Sequence, residues 1–191
     1  MQTENFNEKV LPTKKGEGLI KDVITIVLLV IFVVIPIRVF IAQPFVVFGE
    51  SMSPTFENGD YLIIDQVSYK FNTPQRQQVI IFKYPNDTTK FFIKRIIGLP
   101  NETVEITGPD VFIKNSEHPK GFKLEENYIV NNGNNNVVKK LGENEYFVMG
   151  DNRNASSDSR IWGSLEKSFI IGKTFLQLLP IKKIGILPDK F

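Results

Sequence analysis

The chain contains no cysteine and a single histidine, His118. Without a thiolate there is no cysteine nucleophile, no disulfide framework and no thiolate zinc site. One imidazole does not make a two- or three-histidine metal centre. Any Ser-His-Asp arrangement would have to use His118. An excess of one charge sign is also missing: Lys plus Arg is 23 and Asp plus Glu is 21, a formal net charge of +2. That balance offers no general basic surface of the kind nucleic acid requires. The expected chemistry therefore uses no metal, no cofactor and no nucleic-acid partner.

One long apolar run is present. From Val23 to Ala42 only Thr25 and Arg38 are polar. As a helix this run is about 30 Å long, the thickness of a bilayer core. A core helix of that length would carry a polar face. A cleaved targeting peptide would have a shorter apolar region and a small-residue cleavage site. The exit reads Ile41-Ala42-Gln43-Pro44-Phe45 and has no such site. An uncleaved membrane anchor is the reading adopted, with Arg38 able to snorkel to headgroups and Pro36 able to kink the helix. Lys9, Lys14, Lys15 and Lys21 precede the run, and no Lys or Arg stands between Gln43 and Asp60. The positive-inside rule then puts the N-terminus in the cytoplasm and the remainder outside. The expected organisation is a cytoplasmic segment 1–20, an anchor 21–42 and an outer domain 43–191.

The outer domain is built from short apolar runs bounded by turn residues. Tyr61–Ile64, Val79–Phe82, Phe91–Ile93, Val104–Ile106, Val111–Ile113, Tyr128–Val130 and Tyr146–Met149 are rich in β-branched and aromatic residues. This predicts an all-β domain of many short strands. Val104 to Ile113, folded about Gly108-Pro109, reads as a hairpin. Asn131 to Asn136 reads as a loop tip.

Four stretches carry candidate chemistry. In Gly49-Glu50-Ser51-Met52-Ser53-Pro54-Thr55, both Ser51 and Ser53 are candidate nucleophiles, though a Ser/Pro turn is the plainer explanation. In Lys90 to Gly98, a period of two puts Lys94 on one face between Phe92 and Ile96. The other face, Phe91, Ile93, Arg95 and Ile97, is mainly apolar too, so a strand buried on both sides is expected. Burial there favours the neutral amine and lowers its pKa, which makes a general base. An edge strand with a snorkelling lysine is the alternative. Gly150 to Arg160 packs Asp151, Arg153, Ser156, Ser157, Asp158, Ser159 and Arg160 together. That density suits a buried hydrogen-bond network, or else a solvated turn. Gly59-Asp60 is a weak turn signal. Together these residues fit a serine hydrolase with a lysine base, which needs neither His nor Cys.

At these residues the sequence resembles the type I signal peptidases. Ser51-Met52-Ser53-Pro54-Thr55, Gly59-Asp60, Lys94-Arg95-Ile96-Ile97-Gly98-Leu99-Pro100 and Gly150-Asp151-Asn152-Arg153 through Arg160 look like that family's ordered motifs. The resemblance implies an all-β catalytic fold, a Ser51-Lys94 dyad and secretory preproteins as substrates. Those substrates carry small residues at the first and third positions before the cut. It implies Ser51 as nucleophile, which sets Ser53 aside, and Lys94 as general base. Ser156 is implied to hold the amine, and Asp151, Arg95, Asp158 and Arg160 to brace the site. Phe45, Val47 and Ile93 look like pocket residues, with substrate added as a strand near Pro44–Val47 and Phe91–Ile93. The Ser51 N–H is implied as an oxyanion donor.

The sequence departs from the family pattern in places. Gly49 stands where some members carry a hydroxyl, so no second oxyanion donor is identified. Asn101-Glu102 follows Leu99-Pro100 where many members read Gly-Asp, and Ala155 replaces a common Asn. The stretch 103–145 is expected to be a small hairpin subdomain. Bacterial cytoplasmic membrane, bilayer contact and a monomeric state are the associated expectations. The rival readings are an inactive membrane-anchored β module, a self-cleaving repressor protease and a processing peptidase of an organelle or thylakoid membrane.

Overall fold

In the computed structural model the described residues are 15–34, 42–131 and 133–187. The chain divides into two units, residues 1–39 and 40–191. Within the first, α1 (Lys15–Leu29) continues as a π-helical turn, Val30–Val34. The apolar side chains from Leu19 to Val34 are all exposed. Among the described residues no helix is long and apolar enough to cross a membrane. The expected span Val23–Ala42 runs into residues 35–41, which lie outside the described residues.

The second unit is β-rich, as the short apolar runs predict. Its main sheet holds β1 (Ala42–Val46), β2 (Tyr61–Asp65), β3 (Val79–Tyr84), β4 (Asp87–Gly98), β9 (Glu145–Met149), β10 (Leu165–Glu166), β11 (Ile170–Leu179) and β12 (Gly185–Ile186). The strand order is β1-β2-β11-β3-β4-β9-β10, with β12 on β11. The helical turns α2 (Ser68–Phe71) and α3 (Ser159–Trp162) connect strands. Three strands separate β1 from β4 in this order, yet the Phe45 and Phe91 rings meet edge to face at 5.6 Å. The sheet therefore curls, and β1 and β4 face each other across a cleft.

A second sheet of four strands follows the order β7-β6-β5-β8. It is formed by β5 (Thr103–Gly108), β6 (Asp110–Lys114), β7 (Phe122–Lys123) and β8 (Asn135–Lys140). The β5–β6 hairpin turns at Gly108-Pro109 as read from sequence, with Gly108 at φ 60°. The stretch 103–145, expected as a small hairpin subdomain, holds this hairpin within the four-stranded sheet. Asn135 and Asn136, read as a loop tip, begin β8 because they pair with Gly108 and Thr107. The run Tyr128–Val130 is a turn and not a strand. Tyr128 is buried by packing on another side chain, which outweighs its strand propensity.

Three apolar clusters hold the domain together. Ile97, Val104, Ile113, Leu141 and Phe147 pack the second sheet onto β4 and β9. Ile80, Phe82, Ile96, Val148 and Leu165 fill the main sheet. Trp162 packs against this second cluster, touching Phe82 and Tyr84. Val47, Met52, Phe56, Leu62 and Val79 form the third, under the segment that carries Ser51.

Candidate active site

Ser51 sits on a tight turn just past β1. Ser53 N–H donates to Glu50 O and Phe56 N–H to Met52 O. Met52 and Phe56 are fully buried and anchor this turn in the third cluster. The methionine beside the serine therefore works as a fixed plug while Ser51 stays partly exposed. Gly49 enters the turn at φ 87°, a left-handed conformation open to glycine.

Lys94 comes from β4, opposite Ile80 of β3. The strand is exposed from Thr88 to Phe91 and buried from Lys94 to Gly98, so only its second half is enclosed on both faces. Lys94 is 4% exposed. Its Nζ lies 2.7 Å from Ser51 Oγ and 2.8 Å from Ile93 O, with the Phe92 ring centroid 5.4 Å away. Burial drives the amine pKa down from 10.5 to about 8, against the opposing pull of the Asp158 and Asp151 charges. A hydroxyl and an amine with a pKa near neutrality, in contact, are the parts of a nucleophile and its base.

The remaining expected residues surround this pair. Arg95 and Asp151 form a two-point ion pair, Nε to Oδ1 at 2.8 Å and Nη2 to Oδ2 at 2.6 Å, and both side chains are sealed from solvent. Asp158 and Arg160 form another, with Nε and Nη2 each 2.8 Å from a carboxylate oxygen. Asp158 also accepts the Gly150 N–H at 3.0 Å and caps α3 through the Arg160 N–H. Asn152 N–H then donates to the Ser51 carbonyl at 3.0 Å. A Cβ on Gly150 would stand 2.4 Å from that carbonyl oxygen. The segment 150–158 is thus fitted directly against the Ser51 backbone.

Ser156 departs from expectation. It is buried, but among the described residues its Oγ has no hydrogen-bond partner, and the amine bonds to Ser51 Oγ and Ile93 O. The expected Ser156–Lys94 bond is not formed because the amine turns to its own strand and to Ser51. Gly49, at the position where some family members carry a hydroxyl, has its N–H held by Asn58 Oδ1 at 3.0 Å. His118 packs against the Phe122 ring in the second sheet.

Phe45, Val47 and Ile93 line a cleft of about 660 Å³ that also reaches Ser51 and Lys94. Leu62 and Ile81 add to its apolar walls. Among the described residues β1 has β2 as its neighbour on one side only. β9 pairs with β4 only at Arg95, Ile96 and Gly98. Both walls of the cleft therefore present backbone that is not engaged in the sheet.

Thr55 and Arg153 stand in motifs of the sequence reading without a role of their own there, and Glu126 and Tyr128 were missed. Thr55 donates to Asp151 Oδ2 at 2.5 Å, a role hidden in an ordinary turn residue. Arg153 holds the Gly150 carbonyl through Nε at 3.1 Å and pairs with Glu126. Tyr128 lies against Arg95. Nothing local distinguishes Glu126 or Tyr128, because their partners are distant in sequence.

The site sets a buried amine against a serine hydroxyl in an apolar cleft. Similarity to known proteins gives the family. Residues 20–179 match the family described as "Signal peptidase, peptidase S26". The chain is 39% identical to a signal peptidase I of Leptolyngbya laminosa, over 78% of this chain and 74% of that one. It is 35% identical to probable signal peptidase I-1 of Synechocystis, over 87% and 86% respectively. A crystal structure of a signal peptidase I from Enterococcus faecalis superposes with a TM-score of 0.45 and 30% identity, covering 53% of this chain and 97% of that chain. The chain belongs to the signal peptidase family, peptidase S26, and is a serine endopeptidase.

Proposed function

We propose that this chain is a membrane-anchored endopeptidase that removes signal peptides from secreted preproteins with a Ser51-Lys94 dyad. The observation that carries the reading is the 2.7 Å contact between Lys94 Nζ and Ser51 Oγ at the cleft. Neutral Lys94 takes the Ser51 proton as Oγ attacks the scissile carbonyl. The tetrahedral oxyanion is stabilised by the Ser51 N–H. Collapse breaks the peptide bond, the mature chain leaves as an amine with the proton from Lys94, and the signal peptide remains as an ester on Ser51. Lys94 then takes a proton from water, whose oxygen attacks the ester and frees Ser51.

The substrate enters as an extended strand between β1 and β4, with backbone bonding to both open edges. Phe45, Val47 and Ile93 limit the side chains before the cut to small ones at the first and third positions. Arg95-Asp151 and Asp158-Arg160 keep the site rigid, and Ser156 closes the space beside Gly150. The apolar run from Val23 anchors the monomeric enzyme in the bacterial cytoplasmic membrane. Its lysine-flanked N-terminus is cytoplasmic and the catalytic domain lies at the outer bilayer surface. The test is cleavage of a model preprotein, with the cut site mapped, by wild type and Ser51→Ala. Loss of cleavage in Ser51→Ala is expected, and wild-type cleavage by that variant would overturn the reading.

A further inference from the structure

The turn at residues 125–131 reaches from the second sheet onto the ion pairs of the active site. Tyr128 lays its ring over the Arg95 guanidinium, with Cζ 3.9 Å from the ring centroid. Its hydroxyl donates to Glu126 Oε1 at 2.8 Å. Glu126 in turn takes both terminal nitrogens of Arg153, and both side chains of this pair are buried. Arg153 Nε donates to the Gly150 carbonyl, and Arg160 Nη2 donates to the Arg153 carbonyl at 2.7 Å. Gln77, in the turn before β3, fastens the same segment, with Nε2 2.9 Å from Glu125 O. A connected path therefore runs from Glu126 through Arg153 and Gly150–Asn152 to the Ser51 carbonyl.

We propose that Tyr128 and Glu126 are positioning residues for acyl transfer, forming a strap that fixes segment 150–153 and hence Ser51 against Lys94. The proposal rests on the reading of Ser51 and Lys94 as the dyad. Two physical effects act together. The Tyr128 ring stacks on a desolvated guanidinium, where a cation–π contact is strongest, and keeps water from the Arg95–Asp151 pair. Glu126 balances a buried arginine that would otherwise carry an unpaired charge and pull away from Gly150. Neither residue lines the cleft. Their removal therefore acts on the chemical step and not on substrate binding, which separates this role from plain support of the fold.

The test measures kcat and KM for a model preprotein, on full-length protein held well below each variant's melting temperature. Tyr128→Leu and Glu126→Gln should lower kcat by about 10- to 100-fold, the usual cost of a misplaced reacting group, with KM within about two-fold. Tyr128→Phe keeps the ring on Arg95 and should recover most of kcat. Val130→Ser, an exposed neighbour in the same turn, should match wild type. If Tyr128→Leu fails to fold, Glu126→Gln decides. Wild-type kcat with only a lowered melting temperature, or a loss that falls on KM alone, overturns the strap. Ser51→Ala, run alongside, must be inactive; activity there would instead remove the dyad reading beneath the proposal.

Discussion

Lys94 Nζ and Ser51 Oγ lie 2.7 Å apart although 43 positions separate them in sequence. The serine is placed by a turn whose Met52 and Phe56 are plugged into the core. The lysine is placed by a strand buried over its second half. Each is held by its own apolar packing, so the contact is pre-formed. Burial of the amine then brings its pKa into the range where it can act as a base.

The acid limb of activity should reflect that amine. With the Lys94 pKa lowered to about 8, kcat/KM should fall as pH drops through that value and flatten above it. A profile that is flat from about pH 5 to 9 would contradict a lysine base.

The same burial makes the lysine a cost to the fold. Between about 8 and 10.5 the unfolded chain still holds a proton that the folded chain has released, so stability rises with pH across that window. Below it, folding must bury a charge or give up a proton. Lys94→Met should therefore be more stable than wild type at pH 7, by up to about 3 kcal/mol, and inactive. Denaturant melts of both proteins at pH 7 and 10.5 check this, and the gap should close at the higher pH.

Gly150 has no room for a side chain. A Cβ there would meet the Ser51 carbonyl oxygen at 2.4 Å and Ser156 Oγ at 2.3 Å. The first contact is with backbone and is not relieved by a rotamer change. Gly150→Ala should shift the nucleophile and reduce kcat by about 100-fold, with the cleft walls and KM little changed. Steady-state kinetics on a folded variant measures this directly.

The cleft should set which side chains are accepted before the cut. Ile93 contributes an apolar wall next to Lys94. Ile93→Ala enlarges that wall's space by several carbons. Cleavage of a preprotein with Leu at the residue before the cut should then rise by about 10-fold relative to one with Ala, the scale of discrimination set by a few methylenes. An unchanged Leu-to-Ala ratio would place that side chain elsewhere.

Much of this site was legible in the chain because its parts are local. Ser51-Met52 and Lys94-Arg95 each sit on one turn or strand, Gly150 to Arg160 is one short continuous segment, and alternation in β4 already put Lys94 among apolar neighbours. The Gly108-Pro109 hairpin was legible for the same reason. Non-local pairing was not. Asn135 and Asn136 have poor strand propensity but become strand because β5 offers them partners. Tyr128-Ile129-Val130 has good strand propensity but turns, because Tyr128 is taken by Arg95. The Glu126–Arg153 pair joins residues 27 positions apart, and no local spacing announces it. The curl that brings Phe45 to Phe91 depends on the order of the whole sheet.

Lys94→Arg tests the central claim most directly. A guanidinium keeps the positive charge and much of the length of the side chain but does not give up its proton at any usable pH. With a lysine base, Lys94→Arg should leave a model preprotein uncut from pH 7 to 10, while wild type cuts it at a single mapped site. Cleavage by Lys94→Arg at a rate near wild type, at the same site, would show that the proton on Ser51 goes elsewhere.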